Sequence, residues 1–219
     1  MVGIFILADR PLVTGVQRLE TVQRWVEPLP AGTPWTLEGF TSLMSQKPDF
    51  AVGDWQPTTL PSVIELPPQF SAKPDEPMAR VWFRFTYQVP ADHPPEEPLA
   101  LYSTRIMGGA HSLWVNGELV TAKLDDWRMQ WSYPVFLEVP LQWTQPGRKL
   151  EIALAVPYRL SQGYAVGSLY FGRASELERS RVVRLSLQRT LPIMGMVLVG
   201  LLGLLSLGMW ARRRAESEH

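Results

Sequence analysis

The chain has 219 residues, with 21 basic and 21 acidic side chains and no cysteine. Balanced charge sets up no field that would gather nucleic acid or an anionic bilayer, and a chain without cysteine holds no disulfide and no thiolate metal site. Twenty prolines and nine tryptophans suit aromatic strands joined by proline-rich loops better than a helical bundle.

In chain order, Val2 to Ala8 is an apolar stretch of only seven residues, with no basic residue before it and Asp9-Arg10 directly after. A secretory leader needs a basic start and an apolar region of about 7–15 residues. The stretch therefore reads as a remnant, and a start site lying further upstream is favoured over a domain that is not exported. Gly15 to Val26 fits a strand pair and a short helix equally well. Thr36 to Met44 reads as one or two helical turns, and Val63 to Leu66 as a short strand bounded by Pro61 and Pro67.

From residue 78 the β pattern is strong. Val81, Phe83, Phe85, Tyr87 and Val89 alternate with Trp82, Arg84, Thr86 and Gln88, the period-two signature of a half-buried strand. After a Pro/Glu loop from Asp92 to Pro98, Leu99 to Ser103 is the next strand. Asn116-Gly117 between apolar triplets supplies the two positive-φ positions of a type I′ turn and predicts a tight hairpin. Further strands are expected at Val135 to Val139, at Leu150 to Val156 beyond a Pro146-Gly147 turn, and at Val166 to Gly172. Seven to nine strands spaced about 8–15 residues apart predict an all-β antiparallel sandwich with Greek-key or jelly-roll wiring.

Ser175 to Thr190 carries both a helical and a strand spacing. Ser175 with Glu178 has the form of a capping box, and a helix running on toward the following segment is favoured. That segment, Leu191 to Trp210, is 20 residues without a charge. As a helix it matches the bilayer's apolar thickness of about 30 Å. Arg212, Arg213 and Arg214 follow it. Three arginines on one flank against four spread over the other leave orientation open by the positive-inside rule, and their density tilts toward a cytoplasmic C-terminus. Gly195, Gly200, Gly203 and Gly208 never fall four apart, so no Gly-x-x-x-Gly dimer motif is present. The expected organisation is an N-terminal extension at 1–49 with the first elements of the domain, a jelly roll at 50–174, a connector at 175–190, a transmembrane helix at 191–210 and a tail at 211–219.

Two stretches are candidate ligand sites. Trp127, Trp131 and Tyr133, with Asp125, Asp126 and Arg128, combine aromatic faces and hydrogen-bonding groups suited to a saccharide; rings plugging the open end of the sandwich are the stronger reading. Arg105, Met107, Gly108, Gly109 and His111 allow close backbone approach to a ligand and a pH-sensitive imidazole, against a strand connection whose Gly-Gly forms a turn or bulge, which is favoured. Asp125, Asp126 and Glu118 lack the spacing of a calcium loop. His93 and His219 stand apart, so no histidine cluster has metal spacing. No Gly-x-Ser-x-Gly, cysteine nucleophile or phosphate loop occurs, and Glu96-Glu97 lies in a solvated loop. Neither a catalytic residue nor a cofactor is expected. Arg179, Arg181, Arg184 and Arg189 suit a lipid-facing juxtamembrane role better than nucleic acid.

The succession Trp55, Leu60-Pro61, Val81-Trp82-Phe83-Arg84, Leu113-Trp114-Val115-Asn116-Gly117-Glu118-Leu119-Val120, Leu150-Glu151-Ile152-Ala153 and Gly167-Ser168-Leu169-Tyr170-Phe171-Gly172 before a membrane helix resembles the galactose-binding-like jelly-roll input domain of bacterial membrane sensors. These are the histidine kinases, diguanylate cyclases and seven-transmembrane diverse intracellular signalling receptors. The Trp114-Val115-Asn116-Gly117 phrase is also similar to the jelly-roll accessory domain of β-glucuronidases and β-galactosidases. The resemblance covers about residues 50 to 175. It departs from the sensors in that no kinase, cyclase or further membrane helix follows Trp210, as though the chain were truncated after the first membrane helix.

The resemblance implies a two-component type of signal transduction. It implies a periplasmic sensing domain on the bacterial inner membrane, with a small molecule (a saccharide among the options) or a periplasmic protein as ligand. The kinase or cyclase output would be separate or missing, and a homodimer is allowed. A membrane-anchored carbohydrate-binding or assembly module is the alternative, and a membrane-bound glycoside hydrolase fragment the weakest reading.

Overall fold

The computed structural model describes residues 16–30, 42–47, 49–63, 78–107, 110–124, 134–159 and 163–217. It divides into two units, residues 1–181 and residues 182–219.

The first unit is an antiparallel β-sandwich. Thirteen strands are described: β1 (Gln17–Leu19), β2 (Thr21–Pro28), β3 (Gln56–Thr59), β4 (Ser62–Val63), β5 (Met78–Gln88), β6 (Leu99–Ser103), β7 (Ile106–Met107), β8 (Ala110–Val115), β9 (Glu118–Leu124), β10 (Val135–Val139), β11 (Lys149–Arg159), β12 (Ala165–Val166) and β13 (Leu169–Arg173). The expected strand count was lower because three of these are two-residue pieces, too short to leave a periodic signal. The larger sheet has the order β3-β2-β5-β11-β8-β9, the smaller β1-β13-β6-β10, and the two-residue strands form a third sheet, β4-β12-β7. The strand pair expected as one option for Gly15 to Val26 is present, and its two strands belong to different sheets.

Alternation builds the core. Phe83, Phe85, Leu113, Val115, Ile152 and Leu154 from the larger sheet meet Leu99, Leu101, Leu137 and Phe171 from the smaller one in a single buried cluster. The hairpin turns as expected, with Asn116 at φ 51° and Gly117 at φ 78°. Asn116 further ties β8 to β11, since its Oδ1 accepts from the Glu151 N–H at 2.8 Å.

The strand from Met78 is half-buried only in its second half, where exposed Thr86 and Gln88 alternate with buried Phe85 and Tyr87; its first half is buried on both faces. Its outward residues Arg80 and Trp82 are 2% and 0% exposed because residues 42–47 and 49–55 lie across that face. Met44, Phe50 and Trp55 pack there on Trp25, Trp82 and Trp114. Arg80 donates to Glu27 at 2.8 Å through Nε and to the Leu43 carbonyl, and Trp82 Nε1 donates to the same Glu27 oxygen at 2.8 Å. Burial lowers the Arg80 pKa, and Glu27 opposes that shift. Gly53 makes the crossing possible, for a Cβ there would stand 2.8 Å from both Trp25 and Trp55.

Helix α1 (Ala174–Leu185) begins directly after β13. Its first turns cover the outer face of the smaller sheet, where Ala174 and Leu177 are buried with Ala100, Tyr102 and Tyr170. The capping box expected from Ser175 and Glu178 does not form. The helix already includes Ser175, whose hydroxyl donates to Glu97, while Glu178 pairs with Arg181 at 2.7 Å. In the second unit a π-helical turn (Ser186–Thr190) follows α1 and leads into α2 (Leu191–Ser217). Within α2, Leu191–Trp210 is long and apolar enough to cross a membrane.

Candidate ligand site at one end of the sandwich

Successive connections fix which residues share an end of the sandwich. β5 passes to β6 through residues 89–98, β8 to β9 through Asn116-Gly117, and β10 to β11 through 140–148. All of these turns lie at one end, as does Arg173, which pairs with Leu99. At the other end β11 finishes at Arg159 beside Met78, β9 finishes at Leu124 beside Ala110, and β10 begins at Val135 beside Ser103.

Toward this second end a cluster of polar groups enters the interior. Val22, Arg24 and Val26 alternate on β2, so Arg24 takes an inward position next to Phe83. Its Nη1 donates to the Tyr164 hydroxyl at 3.1 Å. The Ser62 hydroxyl is 3.2 Å from the same phenol oxygen. Tyr158, two residues beyond Val156 on the inner face of β11, sets its ring 5.1 Å from that of Tyr164 at 66°, and Phe83 meets Tyr164 at 5.8 Å.

Tyr164, Tyr158 and Ser62 are buried, and Arg24 is half-buried. Burial pushes the Tyr158 phenol up; Tyr164 adds to the shift and the positive Arg24 works against it. The arrangement is a guanidinium with three hydroxyls around it.

Arg24 differs from Arg80, Arg84 and Arg173. Arg80 pairs with Glu27 at 2.7 Å, Arg84 with Glu151 at 2.7 Å, and Arg173 lies within 3.9 Å of Asp92 and Glu97. Among the described residues no carboxylate stands within ion-pair distance of Arg24. A guanidinium has five N–H donors in a planar fork, so one bond to a phenol leaves most of its capacity open.

Of the sequence candidates, Asp125, Trp127, Arg128, Trp131 and Tyr133 lie outside the described residues, with Asp126, Gly108 and Gly109. The segment 125–133 departs from Leu124 and returns at Pro134, both at the polar end. His111 is buried on the inner face of β8, in the row of Leu113 and Val115. Arg105 is exposed, and its carbonyl accepts from Gly167 N–H at 2.7 Å. Gly167 is held close here, for a Cβ would meet Thr104 Oγ1 at 2.5 Å. No group of three or more His, Asp or Glu residues suited to a metal occurs among the described residues.

Sequence reasoning missed Arg24, Ser62, Tyr158 and Tyr164. The available signal was an arginine flanked at two-residue spacing by Val22 and Val26, which places a charge inward once the stretch is known to be a strand.

No protein-family model and no curated protein matches the chain. Among solved structures it is similar to a β-glucuronidase of Faecalibacterium prausnitzii, at 15% identity over 67% of this chain and 22% of that one, with a TM-score of 0.39. It is also similar to the apo β-glucuronidase of Ruminococcus gnavus, at 11% identity over 76% of this chain and 31% of that one, with a TM-score of 0.47. The chain thus spans less than a third of the length of these enzymes.

Proposed function

We propose that the chain is the ligand-recognising input of a bacterial membrane signalling receptor. The sandwich lies on the periplasmic side of the inner membrane, Leu191–Trp210 crosses it, and the residues after Trp210 are cytoplasmic. The chain performs no catalysis; a kinase or cyclase module acts downstream of it. A ligand shifts an equilibrium only through differential affinity for two states, so recognition must alter something that the helices feel.

One observation carries this reading. Strand β13 starts at Leu169, beside Ser103 at the polar end, and finishes at Arg173, where α1 begins with no loop residue between. A five-residue strand thus connects the end that offers hydrogen-bonding groups to the start of the helix. A flexible linker at that point would favour the second reading, a membrane-held carbohydrate-binding or assembly module.

The test is a fusion of residues 1–219 to a kinase output with a transcriptional reporter, screened against sugars and organic acids. A compound that binds the purified chain should change the reporter. Inserting Gly-Ser-Gly-Ser after Arg181 should abolish that change while leaving binding intact. A reporter indifferent to every compound the chain binds sinks the signalling role and leaves the binding module.

A further inference from the structure

We propose that Arg24, with the hydroxyls of Ser62, Tyr158 and Tyr164, forms the recognition site for a small carboxylate-bearing, hydroxylated ligand at the polar end of the sandwich. This deepens the input-domain reading and rests on it.

Three observations converge. Arg24 already donates to Tyr164 at 3.1 Å, and among the described residues the rest of its fork has no further partner, which suits a planar carboxylate taken through two parallel bonds. The hydrogen-bonding side chains described around it are neutral: the hydroxyls of Tyr164, of Ser62 at 3.2 Å from the Tyr164 oxygen and of Tyr158, whose ring packs on that of Tyr164, and the amide of Gln56, the cross-strand partner of Arg24, which donates to Asp54. Hydroxyls both donate and accept, which suits the alcohol groups of a hydroxy acid or sugar acid. Arg24 itself is half-buried, so a ligand meets it from solvent, while the phenols behind it are fully covered.

The charge count selects the anion. Among the described residues one guanidinium meets neutral hydroxyls and an amide, and it balances one negative charge. A phosphate dianion would bring an extra charge into a half-buried site with nothing described there to compensate it, which is costly. The cover of the site is also its least strongly paired part. β12 joins β4 and β7 through two residues each; Ser62 belongs to β4 and Tyr164 stands directly before β12. Ligand contact there bears on Gly167 and Leu169, the residues that lead into β13.

Calorimetric titration of the full chain in lipid nanodiscs tests the site with D-glucuronate, lactate, D-glucose and inorganic phosphate. At least one of the two carboxylates should bind in the millimolar range or tighter. Glucose, which has a hydroxymethyl where glucuronate has its carboxylate, should bind much more weakly, as should phosphate. Arg24→Gln should weaken carboxylate binding by about ten-fold or more. Arg24→Lys keeps the charge but loses the fork, and should fall between the two. Arg84→Gln, on the opposite face of the same strand pair, should bind like the parent chain.

Thermal midpoints report whether each variant folds; if Arg24→Gln does not, Arg24→Lys and Tyr158→Phe decide, each expected to bind several-fold more weakly. Carboxylate affinity unchanged across the Arg24 variants, phosphate binding as well as the carboxylates, or neither carboxylate binding at millimolar concentration would overturn the site. These outcomes leave the reporter fusion untouched, so failure of this site is separable from failure of the input-domain reading.

Discussion

At one end of the sandwich Arg24, Ser62, Tyr158 and Tyr164 bring a guanidinium and three hydroxyls into the interior. At the other, rings close the core: Phe171 stands 4.6 Å from Tyr87 and 5.7 Å from Phe85, and Trp143 is capped by Arg148 at 4.7 Å. There too the charged groups are satisfied by one another, for Glu97 takes the Ser175 hydroxyl and, with Asp92, the Arg173 guanidinium. The same strands build both ends, yet one is finished as packing and the other retains unspent hydrogen-bonding capacity. Stability is concentrated where the helix leaves, and recognition chemistry where it does not. The strands β5 and β11 that run between these ends are 11 residues long, and Arg24 stands opposite Phe83, midway along β5.

If that division is right, truncations at the two ends should differ in size. Phe171→Ala removes the ring that Phe85 and Tyr87 share and should cost about 3–5 kcal/mol, read as a lower denaturant midpoint of the full chain in detergent. A cost comparable to that of a surface substitution would break the comparison. Leu177→Ala empties the contact between α1 and the smaller sheet and should cost about 2–5 kcal/mol. Hydrogen exchange should then accelerate across the first turns of α1 while the larger sheet stays protected. Equal acceleration in both sheets would mean that the helix is not a separate layer.

At the polar end, Tyr164→Phe removes a phenol that bonds Arg24 and Ser62. It should cost only about 1 kcal/mol, because the Arg24 donors are half-buried and can turn to water. A loss as large as that of Phe171→Ala would show that the polar end is a core element.

The smallest effect is a pH dependence. Burial raises the Tyr158 pKa, with Tyr164 adding and Arg24 opposing. A phenol whose folded pKa is raised keeps its proton where the unfolded chain has lost it. Its contribution is therefore fully present below about pH 10, the ordinary tyrosine value, and is lost as pH rises through the folded pKa. Tyr87 shifts the same way, chiefly by burial. Tyr158→Phe and Tyr87→Phe should each flatten the fall in stability above pH 10. An unchanged alkaline limb in both would exclude these phenols as its source.

The strands were legible wherever a local period carried them. The alternation from Val81 to Val89 and the Asn116-Gly117 pair give β5 and the β8–β9 hairpin without any tertiary information. The burial of Arg80 was not legible, because residues 42–47 and 49–55 that cover it lie far off in sequence and have no pattern pointing to that face. Ser175 and Glu178 have the spacing of a cap, but a carboxylate 78 positions away competes for the Ser175 hydroxyl. The Arg24 site escaped for a similar reason. Its four residues come from four separate stretches, Tyr164 belongs to no strand, and Gly15 to Val26 was undecided between helix and strand. Of the sites that were proposed, the aromatic stretch lies outside the described residues, and Arg105 and His111 divide between an exposed position and a buried one.

The π turn at Ser186–Thr190 has a geometric cause and a geometric result. Pro192 has no N–H to offer and crowds the carbonyl four residues earlier. The ladder widens by one residue, and the Leu191 N–H reaches back to the Ser186 carbonyl. Each residue of an α-helix turns about 100°, so one extra residue rotates everything after it by that angle. Val183 and Leu187 would share a stripe with Leu191 on an unbroken α-helix; the widened turn resets the stripe before the apolar span begins. Removing one residue from Ser186–Thr190 would therefore turn the whole of Leu191–Trp210 about its own axis by nearly a third of a revolution, without changing a single side chain of that apolar span.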